Sequence, residues 1–345
     1  MLGGGIFVTQ NKVLPGAYIN IVSKPTVSGD LGERGAVAIA LPLGKNAGKV
    51  ITLTASDFVK NCEELLGKKY DSADVIALRE IFRHATTVYV YDLGTDGTVS
   101  NAVDALEAYE FNVLCAYTGT AEDIAAYITA VKYWRDEMGK KCQLVVYNQT
   151  GCDHEGVINV VSTVSDEDAE AYALVAWVAG AEAGCAINAS CTNQRYDGEY
   201  TIVTNKTQKQ LEDCLTAGQF AFHLVYGEVR VLEDINSLVT TTADKGEDFK
   251  SNQTIRVIDQ IANDIAKLFN TKYLGSIPNN ASGRTLLWSD IVKHHEEMEQ
   301  LGAIENFDSS ALTVEQGKTK KSVIVNDAVT VTNAMAQLYM TLVIQ

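Results

Sequence analysis

The sequence lacks the features that mark several protein classes. Its seven cysteines are scattered, odd in number and without a CxxC pair, which argues against a zinc ribbon or a disulfide framework and favours free thiols in a reducing compartment. No uncharged apolar run approaches the roughly 20 residues that span a bilayer. No basic flank precedes an apolar stretch in residues 1–6, so we expect no secretory signal. We therefore expect a protein made and assembled in a cytoplasm, without membrane insertion.

Proline is also scarce, with four residues among 345, and charged residues make up only 21% of the chain. Hydrophobic residues make up 46%. This composition is typical of a globular protein and unlike that of disordered or fibrous chains. The length allows two or three domains with ample core.

Negative charge is concentrated in the middle of the chain. The formal net charge is −16, and residues 101–250 account for most of it, with 10 basic and 24 acidic side chains. A segment of this kind stays in water and repels its neighbours, whereas the near-neutral ends pack against partners more readily. An acidic chain without a basic stripe is not expected to bind nucleic acid. One domain that is merely acidic fits the same pattern.

Motifs for a cofactor or a metal ion are weak. The glycine run at residues 3–5 follows no strand and lacks the GK[ST] of a phosphate-binding loop. His295 and Glu299 lie on one face of a predicted helix and form a possible metal pair. They lack the HExxH order and a third ligand, so a solvated helical face explains them better. We therefore predict no cofactor and no metal.

Signals for a catalytic nucleophile are equally weak. Ser190 does not stand in a GxSxG elbow. Cys185 and Cys191 lie in an alanine-rich region and are expected to be small buried hydrophobes. We therefore predict no catalytic residue.

The middle of the chain alternates between predicted strands and helices, which indicates an open α/β sheet. Acidic residues at 122–123 and 166–168 are expected to complement helix dipoles, and Gly180 and Gly184 are small enough for close packing. The first hundred residues are predicted to be richer in strand. The predicted strands are residues 17–22, 35–41, 50–53, 88–91, 112–117 and 143–147, and the predicted helices are residues 102–109, 121–138 and 167–184.

The last hundred residues carry the clearest helical pattern. Apolar residues at i, i+3 and i+4 spacing predict an amphipathic helix over 258–269 and a second helix over 287–301, with Gly302 as its stop. Residues 322–332 and 335–344 are then predicted as two strands. Asp327 is the only charged side chain from position 322 to the end.

The final segment poses a physical problem. Residues 336–344 are apolar and lack the charge, proline or bulge that protects an edge strand. This strand must pair within its own sheet or join the sheet of another chain. The apolar residues 5–9 follow glycines and are also able to reach outward. Two such ends on one chain favour strand exchange between subunits.

Several motifs resemble those of phage tail sheath proteins, and they occur in order along almost the whole chain. The alanine-rich residues 173–184 resemble the mid-chain signature of that family. The length resembles that of the compact sheaths of some phages and R-type bacteriocins. The complete set of similar segments is 14–20, 32–39, 173–184, 188–190, 196–198, 218–220, 229–238, 252–261 and 338–343.

The resemblance implies a multi-domain tail-sheath fold of α+β and α/β class, in which a mixed-sheet core domain carries strand-exchanging terminal arms. The implied domains are an N-terminal arm (1–20), a β-rich domain (21–100), an acidic, outward-facing α/β middle domain (101–245), a C-terminal core domain (246–334) and a C-terminal strand (335–345). The arm residues expected to contact other subunits are Ile6, Phe7, Val8, Tyr18, Ile19, Leu338, Tyr339, Met340, Leu342 and Ile344.

The resemblance also implies a function. Sheath subunits stack as hexameric rings around an inner tube and contract to drive the tube through a cell envelope, so an enzyme is not expected. The implied partners are further copies of the chain, the inner tail tube protein, and baseplate and tail terminator proteins. The implied location is a phage tail or tail-like particle assembled in the bacterial host cytoplasm.

A basic cluster gives a candidate surface for the tube. Lys318, Lys320 and Lys321 lie close together in the implied C-terminal core domain, and Arg284 and Lys293 are further candidates. A solvated hairpin turn explains the three lysines equally.

Two other interpretations remain open from the residues. A cytoplasmic α/β enzyme or nucleotide-binding protein would need a pocket with convergent polar groups and a ligand that stabilises it. A non-contractile tube or shell protein would show one assembled state, where a contractile sheath shows two.

Overall fold

A computed structural model of the chain describes residues 31–344. The predicted N-terminal arm, with Ile6, Phe7, Val8, Tyr18 and Ile19, lies outside the described residues, as does the strand predicted at 17–22. Within the described range, no helix has the length and apolar composition of a membrane span.

Strands and helices alternate over most of the described chain. The strands are β1 (Ala36–Leu41), β2 (Val50–Thr54), β3 (Thr87–Asp92), β4 (Val113–Cys115), β5 (Gln143–Tyr147), β6 (Val157–Val160), β7 (Gln219–Phe220), β8 (Phe222–Val225), β9 (Glu228–Val231), β10 (Ile304–Glu305), β11 (Thr313–Gln316), β12 (Val323–Asn326) and β13 (Thr330–Val331). The helices are α1 (Phe58–Leu66), α2 (Ile76–Ile81), α3 (Val99–Leu106), α4 (Ala121–Tyr133), α5 (Leu174–Gly184), α6 (Gln208–Thr216), α7 (Asn252–Leu268) and α8 (Ala281–Gln300).

Seven strands form one main sheet, in the order β2-β3-β1-β4-β5-β6-β7. All neighbouring pairs are parallel except β2 with β3, which is antiparallel at one edge. Helices α1, α2 and α5 cover one face, and α3 and α4 cover the other. The central strands are therefore apolar on both faces, as parallel strands between two helical layers must be. The predicted mixed-sheet fold of α+β and α/β class is confirmed.

The domain boundary predicted at residue 100 does not separate two sheets. Strands β1 to β3 come from the range assigned to a β-rich domain, and β4 to β7 come from the range assigned to an α/β domain, yet β1 lies between β3 and β4. The physical reason is that β1 is buried on both faces and needs a strand partner on each side. The glycines and proline near these strands mark loops of the same sheet.

The ends of several helices follow the expected local chemistry. Glu122 and Asp123 lie in the first turn of α4, as predicted. The Ser251 side chain caps α7, and Asn280 caps α8 by accepting a hydrogen bond from the backbone of residue 283 at 2.9 Å. Gly302 has φ +72° just after α8, which confirms it as the stop. Helices α4 and α7 both continue into a π-helical turn, at Trp134–Met138 and Phe269–Tyr273.

Two predicted elements differ from the structure. Helix α5 begins at Leu174, seven residues later than predicted, because residues 166–173 form turns. Asp166 does not cap that helix; its carboxylate accepts a hydrogen bond from the Thr201 N–H at 2.8 Å. The strand predicted over 322–332 is two strands, β12 and β13, which pair with β11 and β10 respectively. Asp327 interrupts the strand because its carboxylate turns inward to His295.

The C-terminal part packs as a small second layer on α7. Helix α8 and the β11–β12 hairpin enclose an apolar cluster with the end of α7. A second cluster joins α7 to the end of α8 and to the β10–β13 pair. Helix α7 therefore lies between this layer and the main sheet.

Close approach of α2 and α5 depends on glycine, as the sequence predicted. A Cβ atom at Gly180 would overlap the Ile81 carbonyl oxygen, and one at Gly184 would overlap the His84 carbonyl oxygen.

Gly180→Ala should therefore destabilise the chain by about 1–3 kcal/mol, although alanine normally favours a helix interior by about 1 kcal/mol. The measurement is the free energy of unfolding in urea.

Gly246→Ala is the matched control. Gly246 has φ −80° and nothing lies within 4 Å of the added Cβ. Its stability should be unchanged or slightly raised. A Gly180→Ala chain as stable as the parent would contradict the predicted overlap.

Candidate functional site

Helix α7 buries polar side chains next to the apolar Ile255 and Val257. The amphipathic helix predicted over 258–269 is confirmed, but it begins earlier, at Asn252. Asn252, Arg256 and Asp259 are buried, whereas the apolar positions Ile258 and Ile261 are only half-buried. The polar side faces the main sheet and its helices, so buried polar contacts hold the C-terminal part of the chain to the sheet.

Arg256 is the centre of these contacts. Its guanidinium is fully buried and donates from Nη2 to Glu182 Oε2 at 2.6 Å and to Asp234 Oδ2 at 3.2 Å. Nη1 donates to the Ala189 carbonyl oxygen at 2.7 Å. Glu182 lies on α5 and Asp234 follows β9, so one side chain joins three separate stretches of the chain. The Cys191 N–H also donates to Asp234, at 2.9 Å.

The two carboxyl groups around Arg256 have opposite protonation preferences. Burial and the adjacent charge of Asp234 raise the pKa of Glu182 well above its ordinary value. Burial also disfavours the charge on Asp234, but Arg256 lies so close that the pKa of Asp234 is lowered. Asp234 is therefore the counter-ion of Arg256, and Glu182 is the group that tends to hold a proton. The cluster is thereby close to neutral, as a buried site requires.

A second buried ion pair lies further along α7. Asp259 accepts two hydrogen bonds from Arg135, at 2.5 and 2.9 Å. Arg135 belongs to the π-helical turn after α4 and also donates to the Cys142 carbonyl oxygen at 2.8 Å. At the start of α7, Asn252 accepts a hydrogen bond from Gln143 of β5 at 3.0 Å. Bidentate pairing fixes orientation as well as distance, so α7 has one defined position on the sheet.

The apolar periodicity of α7 does not reveal its buried polar residues. None of them is among the site residues predicted from the sequence. The sequence does contain a signal for them, because Asn252, Arg256, Asp259 and Asn263 recur at spacings of four, three and four residues, which places them on one side of a helix. That spacing does not distinguish a buried polar face from a solvated one.

His295 and Glu299, the possible metal pair, bond to different protein partners. His295 Nε2 pairs with Asp327 at 2.7 Å, and Glu299 accepts a hydrogen bond from the Phe307 N–H at 3.0 Å. His294 pairs separately with Asp264 at 3.0 Å. Each group therefore has its own protein partner.

Two other groups bring possible metal ligands within 4.8 Å in the part of the chain that the structure describes. One consists of Glu182, Cys191 and Asp234, and the Arg256 guanidinium already occupies its centre. The other consists of Asp136, His154 and Glu155. His154 Nδ1 accepts a hydrogen bond from the backbone N–H of residue 156 at 2.9 Å, so neutral His154 carries its proton on Nε2, which faces Asp136. Neither group presents a free set of ligands.

The remaining nucleophile candidates are part of the same packing. The Ser190 hydroxyl contacts Asp234 at 3.2 Å and Thr192 at 3.0 Å, which leaves it within the Arg256 cluster. Cys191 is buried as predicted, whereas Cys185 is half-buried. The neighbouring Cys191 thiol and the Arg256 charge lower the pKa of Cys185 below its ordinary value.

The strand predicted over 335–344 is wrong for the single chain. These residues form no strand and make no backbone pairing with the rest of the described chain. Their apolar side chains are largely in water, with Leu338 87% exposed and Ile344 90% exposed. The physical reason is that a strand needs a partner, and β13, which precedes this segment, already pairs with β10. We call residues 335–344 the terminal segment.

The start of the terminal segment is held by the first turn of α7. Gln253 donates from Nε2 to the Thr332 carbonyl oxygen at 3.1 Å, and its Oε1 accepts from the Ala334 N–H at 2.9 Å. Thr254 and Asn333 also bond through their side chains, at 3.3 Å. The side-chain amide of Gln253 thus pairs with the backbone as a neighbouring strand would. Beyond residue 334 the segment makes no backbone hydrogen bond with the other residues that the structure describes.

Of the five basic residues proposed to face the tube, four belong to one surface and Lys293 lies apart. Lys318, Lys320 and Lys321 lie in the exposed turn between β11 and β12, which confirms the hairpin turn. Asn279 joins this turn to Arg284 because it donates to the Lys320 carbonyl oxygen at 3.1 Å and accepts from Arg284 at 3.0 Å. Lys293 is more than two helical turns away along α8 and pairs with Glu297 at 3.3 Å.

Family models match most of the chain. The model of the phage tail sheath protein central domain matches residues 94–237, and the model of the phage tail sheath C-terminal domain matches residues 244–345. The second match includes α7, α8, the basic hairpin and the terminal segment.

Curated relatives agree with this match. The chain is 28% identical over 302 residues to the tail sheath protein of Clostridium phage phiCD119, which covers 86% of this chain and 83% of that protein. It is 31% identical over 264 residues to the phage-like element PBSX protein XkdK of Bacillus subtilis, which covers 71% of this chain. That match spans only 56% of the length of the Bacillus protein.

Solved structures share the fold. The sheath tail protein of Desulfitobacterium hafniense superposes with a TM-score of 0.79 at 27% identity, over 92% of this chain and 96% of that one. The helical sheath of the anti-feeding prophage in its contracted state superposes with a TM-score of 0.73 at 16% identity, over 96% of this chain and 99% of that one. The second likeness is one of fold alone.

The protonation of Glu182 gives a pH-dependent test. Because its pKa is raised in the folded chain, its protonated form contributes stability that is complete below the ordinary value of 4.5 and is lost as the pH rises towards the folded-state pKa. The Glu182→Gln variant has no proton to lose. The difference in free energy of unfolding between the wild type and this variant should therefore become smaller from about pH 5 to about pH 8. Urea unfolding at each pH measures it.

Arg256→Met is the comparison variant. It leaves Asp234 buried without its counter-ion and should cost about 3–5 kcal/mol at neutral pH. Lys209→Met, which breaks an exposed pair with Asp213, should cost less than about 1 kcal/mol. If the difference in free energy of unfolding between Glu182→Gln and the wild type stays constant or grows as the pH rises, Glu182 does not hold the proton assigned to it.

Proposed function

This chain belongs to the phage tail sheath family, and from that premise we propose that it is a structural subunit of a contractile sheath. In this proposal the chain polymerises as stacked hexameric rings around an inner tube and contracts to drive the tube through a cell envelope. The particle is a phage tail or tail-like particle assembled in the bacterial host cytoplasm. The partners are further copies of the chain, the tail tube protein, and baseplate and terminator proteins.

The terminal segment is the observation that carries the proposal. Residues 335–344 carry mostly apolar, exposed side chains and have no strand partner in the described part of the chain, and they follow an anchor on α7. An exposed edge of this kind is an aggregation hazard in a monomer. It is explained if the segment adds a strand to the sheet of a neighbouring subunit. The β10–β13 pair and the β11–β12 hairpin both offer short sheets to which a strand could be added.

The alternation of side chains favours a half-buried strand. Leu338, Met340, Leu342 and Ile344 are two residues apart, so they share one face of a strand. Burial of each against a neighbour contributes about 1.5–3 kcal/mol. About four backbone hydrogen bonds add about 0.5–1.5 kcal/mol each. A link of several kcal/mol per arm is enough to persist in a polymer where every subunit makes one.

Backbone pairing suits a sheath that changes shape. Strand pairing holds the ends of the chain, while the globular bodies exchange one set of side-chain contacts for another. In this proposal the arms remain joined in both states, and the α/β body moves about the anchor at Gln253. The acidic middle domain faces outward, where its charge keeps the bodies from adhering. The N-terminal arm, residues 1–20, would contribute a second strand through Ile6, Phe7, Val8, Tyr18 and Ile19.

The basic hairpin supports a contact with the tube. Lys318, Lys320 and Lys321 are exposed and have no ion-pair partner within residues 31–344. Arg284 is joined to them through Asn279, which makes one basic surface from two elements. Lys293 is a weaker candidate because it lies apart and pairs with Glu297. We propose that this surface contacts an acidic tube.

No enzymatic role is proposed. The candidate nucleophile Ser190 bonds to a carboxylate and a hydroxyl, and no histidine contacts it in the described part of the chain. A tail sheath family member is consistent with a purely structural role.

Deletion of residues 335–345 tests the proposal. The terminal segment contributes little to the fold of its own chain, so the deleted chain should keep its thermal unfolding midpoint. It should fail to form tubes. Negative-stain electron microscopy of the chain with and without its tube partner measures this, and the intact chain should give hollow striated cylinders that are wider without the tube. Normal cylinders from the deleted chain would show that the segment is not the link.

Charge reversal tests the tube-facing surface. Lys318→Glu, Lys320→Glu and Lys321→Glu together should weaken extended assembly on the tube at least about tenfold while leaving tube-free polymerisation intact. The control reverses three exposed lysines outside the C-terminal domain, Lys60, Lys69 and Lys209, with the same change in net charge. If the two triple variants weaken co-assembly with the tube equally, the basic hairpin is not the surface that contacts the tube.

A further inference from the structure

A cleft of about 670 Å³ opens at the carboxyl ends of the central strands. Its floor includes Leu41 at the end of β1, Leu93 just after β3 and Tyr117 just after β4. After β1 the chain passes through β2 to α1 on one face of the sheet, and after β4 it passes to α4 on the opposite face. Neighbouring strands whose connections diverge in this way leave a crevice, and in open α/β sheets this crevice is where ligands bind. The terminal segment and the buried ion pairs described above do not use it.

Carboxylates dominate the charge of this cleft. Six acidic side chains line it, and no lysine, arginine or histidine does. Two of the six have cationic partners nearby: Asp74 pairs with Lys68 at 2.9 Å and Glu199 with Arg79 at 2.8 Å. The other four have no cationic partner within residues 31–344, and they are Asp123, Asp166, Asp168 and Glu170.

Tyrosine rings supply the remaining walls. Tyr117 and Tyr172 meet edge to face with ring centroids 5.0 Å apart, and Tyr200 lines the cleft beside them. Tyr127 is only 2% exposed, yet it lines the cleft and its hydroxyl makes no hydrogen bond with the described residues. The hydroxyl is not one of the fully enclosed polar atoms that lack a partner, so it opens into the cleft. There it offers a ligand a polar contact that no described residue uses.

The spacing of the acids points to an organic cation and away from a metal ion. Within the described residues, no three ligand atoms of this cleft lie within 4.8 Å of one another. A divalent cation needs such a cluster of oxygens. An alkylammonium or guanidinium group is larger, is satisfied by one or two carboxylates and gains further attraction over tyrosine rings.

We propose that this cleft binds an alkylammonium or guanidinium cation, held by the carboxylates of Asp123 and Asp168 and by the tyrosine rings, with the Tyr127 hydroxyl as an additional polar contact. Two sources carry this chemistry. One is a free polyamine of the cytoplasm, and the other is a lysine or arginine side chain of a neighbouring copy of this chain. The second source rests on the proposed function, whereas the first does not.

Calorimetry of the full, unassembled chain tests the free cation. Spermidine is titrated at constant ionic strength, and we expect one saturable site per chain. The double variant Asp123→Asn with Asp168→Asn should weaken binding about tenfold, because two charge-assisted contacts are lost. Tyr127→Phe, which keeps the ring and removes only the hydroxyl, is the milder second variant and should weaken binding less. The control, Asp104→Asn with Asp248→Asn, removes two exposed acids outside the cleft and should bind as the wild type does.

Assembly tests the neighbouring side chain. If spermidine does not bind but Asp123→Lys with Asp168→Lys blocks tube formation by a chain that still folds, the ligand is a basic side chain of another subunit. The wild-type chain is the reference in this assembly experiment. If the wild type forms no tubes, the proposed sheath function fails, and this result is distinct from a failure of the variant alone. The proposal is overturned if spermidine does not bind and the lysine variant assembles normally. It is also overturned if the control weakens spermidine binding as much as the cleft variant, since the cation then only screens an acidic surface.

Discussion

The C-terminal half of the chain is arranged around one buried charge, the guanidinium group of Arg256, which has no access to water. Arg256 is fully buried, and the cost of removing its charge from water is offset only where Asp234, Glu182 and a backbone carbonyl surround it together. These partners come from different stretches of the chain, so they meet in one arrangement of α7, α5 and the segment after β9. Helix α8, the hairpins and the base of the terminal segment all follow from the position of α7. A cluster of charges thus sets the relation between the two layers.

Local pattern was enough to predict most of the elements. Apolar periodicity predicted α4, α7 and α8, and the alternation of strands and helices predicted an open sheet, because both depend on which residues a helix or strand must bury. The pairing of β1 with β4 was not predictable, since it joins residues 37–39 to 113–115 through contacts that no local pattern contains. The polar face of α7 was missed because buried and solvated polar stripes have the same spacing.

The terminal segment illustrates a different gap between sequence and structure. Its pattern predicts a strand, and residues 335–344 form none, because backbone hydrogen bonding requires a second strand and no described residue supplies one. The pattern fits the strand exchange between subunits that is proposed above. The candidate cation cleft was unpredictable for another reason: its acids lie on the α4 helix and on the turns before α5, and its tyrosines come from four separate positions. Only the folded sheet brings them together.

The contact between Gln253 and the main chain of residues 332 and 334 also bears on how such a protein diverges. The amide binds the carbonyl oxygen of residue 332 and the N–H of residue 334, and these backbone groups do not depend on which side chains stand there, proline at 334 excepted. In the proposed sheath, the sequence that recognises a neighbouring subunit is therefore free to change without loosening the joint that carries it.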